Sequence, residues 1–306
     1  MLARFVSGFF VGGVNVCMLT YTVNMSEEAK RSGRLMIQAT AATVSGTFGY
    51  LIGGLLGEIS VKLAFMMQAG CLTLAGLLFF FFLKDDREGR SGRIPVGAVV
   101  RKANPFAAFL SAGQFMTVIF AVLFAVVFLS NFAFTSYDQC FNYYIKDQFG
   151  FTSVYNGAIK AAVGTISLAA NLTICRYILK KTNVARSEVK VLLISAAALF
   201  GAIAGDRVLP FILLTVLYLS MNAVCVPVLQ SLVAGDAPRK KSNIVMGFYN
   251  AMRSFGQVCG AAFAGFAYGT GPKVPFLWSG ISLLCESAGT VIYIFLKKGK
   301  KHVGKR

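Results

Sequence analysis

Long apolar runs separated by short polar turns organise the chain. Nine stretches are apolar over a length close to that of a membrane span: 2–24, 35–57, 61–83, 113–145, 153–179, 189–206, 208–234, 242–269 and 274–296. A helix rises 1.5 Å per residue, so about 20 apolar residues cross the hydrocarbon core. The pattern therefore predicts an all-α membrane protein with nine transmembrane helices. The fourth stretch is too long for one simple span, so its end is expected to protrude. The sixth is short. The first lacks a basic leading region and continues to spanning length, which predicts a membrane helix rather than a cleaved signal.

The turns alternate in charge. One set carries Lys30, Arg31 and Arg34, then Lys84, Arg87, Arg90, Arg93, Arg101 and Lys102. It continues with Arg176, Lys180, Lys181, Arg186 and Lys190, then Arg239, Lys240 and Lys241, and ends in a tail rich in Lys. The opposite set holds only Lys62, Lys146, Arg207 and Lys273. Loops rich in Lys and Arg stay on the cytoplasmic side. Nine spans then put the N-terminus outside and the C-terminus inside. The longest polar segment divides the chain. Residues 1–84 form a partial N-terminal bundle of three spans, 85–112 a cytoplasmic linker with a short surface helix at 95–103, and 113–306 a six-span bundle with a basic tail.

Composition supports this reading. Of 306 residues, 56% are hydrophobic and 14% charged, and the mean hydropathy is +0.67. Soluble domains carry about 25% charged residues. A net charge of +18 would suggest nucleic acid in a soluble protein. Here the excess sits in turns between spans, so the expected partner is the lipid bilayer and no nucleic acid is expected. The seven cysteines have no metal-ligand spacing, and most lie inside apolar runs, where Cys is a small hydrophobe. The single histidine, His302, lies in the basic tail, and no phosphate-binding Walker pattern is present. No cofactor, no metal and no enzymatic activity are expected.

A weak internal repeat appears when the chain is shifted by 207 positions. Asn15 then falls on Asn222, Ile37 on Ile244, Phe48 on Phe255, Gly49 on Gly256 and Gly53 on Gly260, with Arg34 on Lys241. Each pair shares a depth and a direction, which predicts a parallel repeat of the kind transporters use. Spans one to three correspond to spans seven to nine, and four to six have no counterpart.

Local motifs point the same way. Residues 4–13, Arg-Phe-Val-Ser-Gly-Phe-Phe-Val-Gly-Gly, set an intramembrane Arg4 before Gly8 and Gly12. Residues 45–54, Ser-Gly-Thr-Phe-Gly-Tyr-Leu-Ile-Gly-Gly, carry Gly49, Gly53 and Gly54. The chain resembles the major facilitator superfamily, its first stretch looking like the family's fourth helix and its second like the fifth-helix antiporter motif. Ser45 replaces the first Gly of that motif and Tyr50 its Pro. The glycine-rich span with Gly256 and Gly260 is similar to the eleventh helix. The resemblance covers the fourth to twelfth helices, and the first three have no counterpart, so the chain is either a fragment or a shortened protein. The small residues are expected to let helices approach closely.

Polar residues recur on single faces of apolar spans. Span four carries Asn131, Thr135, Asp138 and Asn142; span five carries Asn156, Lys160, Gly164, Ser167 and Asn171. Span eight carries Asn250, Arg253 and Gln257, span seven Asn222 and Gln230, and span one Arg4 and Asn15. Spacings of three and four are helical. Ionisable residues inside a bilayer are costly and usually face a cavity or another helix. These faces predict a central cavity, or interhelical hydrogen bonds that only hold the bundle. The resemblance implies that spans one, two, four, five, seven and eight line a substrate path, with three, six and nine peripheral. Asp138 and Lys160 lie about 10 Å inside the same boundary on neighbouring spans, which predicts an ion pair. Glu286, in span nine, is expected to be a neutral acid or an interhelical partner, with Arg253 within reach in depth. The expected function is secondary transport of a small molecule: proton-coupled export of drug-like or amphipathic compounds across the cell membrane. The alternatives are an inactive remnant and a sugar or metabolite permease.

Overall fold

The computed structural model describes residues 6–14, 18, 21, 31–83, 113, 115–205, 207–238 and 242–303. Arg4, Asn15 and the segment 84–112, with its expected surface helix, lie outside the described residues. Among those described there are nine helices and no strand. We label them α1 (6–14), α2 (Arg31–Ile59), α3 (Val61–Phe82), α4 (Val118–Phe149), α5 (Ser153–Lys181), α6 (Val184–Ala204), α7 (Val208–Asp236), α8 (Ser242–Thr270) and α9 (Val274–Val303). Helices α3, α4, α5, α6, α7 and α9 are long and apolar enough to cross a membrane. Helices α2 and α8 are 29 residues each; their Gly, Ser, Asn and Gln positions lower the mean hydropathy.

Local chemistry sets the ends. The Thr117 hydroxyl accepts from the Phe120 amide at 3.4 Å and starts α4. Gly150 ends it at φ 65°, and the Gly150 and Phe151 amides donate to the Lys146 and Ile145 carbonyls. That left-handed position suits glycine, which has no Cβ to clash. The 32-residue α4 therefore outlasts the hydrocarbon thickness. The Asn183 side chain accepts from the Arg186 amide, so α6 begins before the expected boundary and takes in Glu188. A π-helical turn at Asn171–Cys175 interrupts α5, and Pro227 lies inside α7. Proline has no amide hydrogen, so the Ala223 carbonyl loses its helical donor.

Helices α4 to α9 form one packed bundle. α4 packs against α8 and α9, α6 against α7 and α9, and α7 against α5. Tyr137, Phe141, Tyr144, Phe211 and Phe276 make one aromatic cluster, with the Tyr137 hydroxyl 2.7 Å from Thr215. α2 joins this bundle through α5, and α3 packs on α2. α3 has no buried residue and exposes Phe80, Phe81 and Phe82. Such a surface suits lipid, where apolar side chains need no cover.

Three of the seven motif glycines lie at helix crossings. A Cβ on Gly54 would stand 2.9 Å from the Gly157 Cα, and one on Gly157 2.7 Å from the Tyr50 carbonyl. On α8, a Cβ at Gly256 would meet the Phe128 carbonyl at 2.5 Å, and one at Gly260 the Phe132 carbonyl at 2.6 Å. Gly8, Gly12, Gly49 and Gly53 differ from expectation: nothing among the described residues lies within 4 Å of their Cβ positions. Gly49 and Gly256 thus occupy unlike surroundings. α8 turns its glycines onto α4, whereas α2 presents Gly54 to α5 and turns Gly49 away.

Candidate functional site

A cleft of about 250 Å³ opens between α2, α4, α5, α7 and α8. No residue of α3, α6 or α9 lines it. Its wall combines apolar side chains (Phe134, Val163, Leu219, Val226) with Asn131, Asp138, Lys160, Asn222, Arg253 and Gln257. α4 presents Asp138 and α5 presents Lys160, because both sit on the polar faces of consecutive helices, near the turn that joins them. Their side chains form a hydrogen-bonded ion pair. The Lys160 side chain is 8% exposed and that of Asp138 29%. Lys160 also lies 5.6 Å from the Tyr50 ring centre and 5.5 Å from that of Phe141. An ammonium is attracted to ring faces at such distances, more so when water is excluded.

A second cleft of about 270 Å³ lies on the other side of this group, toward the α4–α5 turn. Glycines of α2, Asn142 of α4, and Ser153, Asn156 and Gly157 of α5 line it. Tyr50 and Lys160 are the residues that line both clefts. Tyr50 and Lys160 therefore stand between the clefts, with Asp138, paired to Lys160, on the side of the central one.

The other predicted positions divide. Asn222 is buried and faces the central cleft. Asn131 faces it too, although its side-chain amide donates to the Val127 carbonyl at 2.9 Å on its own helix. Arg253 lines the cleft and makes no salt bridge among the described residues. The depth match with Glu286 does not become a pair: Glu286 is fully buried beside α4 and α6 and does not line the cleft. Asn142 is exposed and belongs to the second cleft. Asn171 lies in the π turn with its side-chain oxygen buried and unpartnered, and Asn250 is exposed; neither lines a cleft.

Several contributors escape a stripe analysis. Tyr50 left one trace, since it stands where the antiporter motif has proline. Phe141 and Ser130 left none, because an aromatic or a serine in an apolar helix is ordinary. Gly157 did not stand out among 31 glycines.

Comparison with known proteins places the chain. The profile of the Major Facilitator Superfamily matches residues 1–261. No curated protein matches the sequence. Among solved structures, the human organic anion transporter MFSD10 (TETRAN) superposes with a TM-score of 0.64 at 21% identity, covering 95% of this chain and 71% of that one.

Proposed function

Because the chain belongs to the major facilitator superfamily, we propose that it carries a small amphipathic molecule through the central cleft by proton-coupled export across the cell membrane. Membrane transport itself follows from family and fold. The observation that carries the finer reading is the Tyr50–Lys160–Asp138 group between the two clefts. Protonating Asp138 would release Lys160 and weaken the partition, so proton binding and passage would be linked at one place. The apolar wall suits a lipophilic body, and the polar groups suit a polar head.

A second reading concerns the sign of the substrate. Asp138 is already paired with Lys160, which leaves Arg253 as a cation facing the cleft without a carboxylate among the described residues. A planar guanidinium binds carboxylate or sulfonate groups bidentately. That favours an organic anion over a cationic dye, and one solved structure of similar fold, MFSD10, is an organic anion transporter.

The test uses the full chain in liposomes with an imposed pH gradient and a panel of anionic and cationic fluorophores. Gradient-driven movement of an anionic probe is expected, reduced at least about tenfold in Asp138→Asn, which corresponds to about 1.4 kcal/mol. Equal movement in the variant would reject the coupling role. Movement of cationic probes alone would reject the anion reading.

A further inference from the structure

Two buried acids lie outside the clefts. Glu188, in the second turn of α6, and Glu286, in the middle of α9, are both 0% exposed. None of their carboxyl oxygens makes a hydrogen bond of full geometry, although the Ser130 hydroxyl stands beside Glu286 and the Cys225 thiol beside Glu188. α6 and α9 pack directly together, and the two carboxyls lie within electrostatic reach of each other. Neither is paired with a Lys or Arg among the described residues.

Every neighbouring helix shows what it offers these groups. α7 supplies Cys225 and Tyr218, both fully or almost fully buried; the Tyr218 hydroxyl also lacks a partner and lies within reach of Glu286. α5 supplies Cys175, and α8 supplies Tyr249, with Arg253 one turn further along the same helix and lining the cleft. α4 supplies Ser130 beside Glu286, and Asp138 lies beyond Tyr218. The nearest groups are thus neutral at physiological pH. A carboxylate buried among them without a cation, with at most one hydroxyl or thiol beside it, would bear most of the loss of its hydration. A carboxylic acid, carrying its proton, bears far less.

Ser130 gives the pair a route. It lines the central cleft on one side and adjoins Glu286 on the other. Glu286 therefore lies one side chain behind the cleft wall, and Glu188 lies further toward the basic turn at 180–190.

We propose that Glu286 and Glu188 form a proton-binding site in the peripheral layer of the six-helix bundle, loaded from the central cleft past Ser130. Each carboxylate takes up one proton when α4, α6, α7 and α9 close around it. Each gives that proton back to water when those helices part. The site stands on burial and neighbours alone; only the use of its protons in export rests on the function proposed above.

Infrared difference spectroscopy on the full chain in liposomes tests it without any substrate. The protonated-carboxyl C=O stretch is expected at neutral pH in the unmodified protein, shifting down in heavy water. Glu286→Gln and Glu188→Gln should each remove a share of that band, while Glu58→Gln, at an exposed position, leaves it intact. Gln has the shape of a protonated acid, so the thermal unfolding midpoints of both variants should match the parent. Absence of the band from the unmodified protein at neutral pH would overturn the site, and that measurement needs no variant to fold. A band that survives both substitutions would overturn it as well. A band removed as expected, beside transport indifferent to a pH gradient, would uphold the site and reject proton-coupled export.

Discussion

Lys160 is held by three groups from two helices: Asp138 and Phe141 on α4 and Tyr50 on α2. Depth counting along two polar faces was enough to anticipate the pair, because both residues sit a similar distance from one turn. The rings were not legible, since their role depends on which way α2 leans. Breaking a buried pair from one side leaves an uncompensated charge, which costs about 3–5 kcal/mol when burial is complete. Asp138 keeps some solvent contact, so Lys160→Met should cost about 2 kcal/mol, below that range. The double variant Lys160→Met with Asp138→Leu should recover most of the loss. Unfolding midpoints in detergent measure both, and a double variant weaker than the single one would show that the pair is not compensating charge. Arg253→Gln should lower affinity for an anionic probe by about tenfold, or about 1.4 kcal/mol, with unfolding unchanged.

Among the helices, the closest approaches are made where glycine removes the side chain. α8 rests on α4 at Gly256 and Gly260, with carbonyls of α4 where a Cβ would stand. Backbone carbonyls cannot rotate aside, so Gly256→Ala must separate the helices. A cost of about 1–3 kcal/mol is expected, the range for overpacking. Gly265, on the same helix, has nothing within 4 Å. Gly265→Ala should be neutral or stabilising by up to about 1 kcal/mol, since alanine favours the helix. Equal losses in the two variants, read as unfolding midpoints, would mean that the Gly256 crossing has no special tightness. Both glycines lie in the same glycine-rich helix; only the rotation of α8 against α4 separates them.

Across the whole molecule, the packing of α2 on α5 joins α2 and α3 to the bundle, with Gly54 against Gly157 at the crossing. Tyr50 and Lys160, beside that crossing, stand between the two clefts. A rocking of α2 over α5 would move Tyr50 relative to Lys160 and change the separation. The charge alternation of the turns sets the expected orientation. Single cysteines placed at Ser91→Cys and Gly304→Cys in a background without native cysteines should react with a membrane-impermeant thiol reagent from the cytoplasmic side. Gly205→Cys should react from the opposite side. Labelling of Ser91→Cys and Gly205→Cys from the same side would reverse the orientation argument.

Helix number, approximate boundaries and the family were legible because they rest on local quantities. Apolar length sets a span, and an intramembrane Arg followed by glycines at helical spacing marks a family habit within ten residues. The Asp138–Lys160 pair was legible for the same reason, since each depth is counted along one helix. Helix rotation and crossing are nonlocal, and several assignments depended on them. They place Gly54 at a contact and Gly53, one residue away, in the open. They bring Asn222 to the cleft and leave Asn250 exposed. They set Glu286 against α6, with Glu188 as its neighbour rather than Arg253. Side-chain spacing tells which residues share a face. What that face meets is decided by packing between helices far apart in the chain.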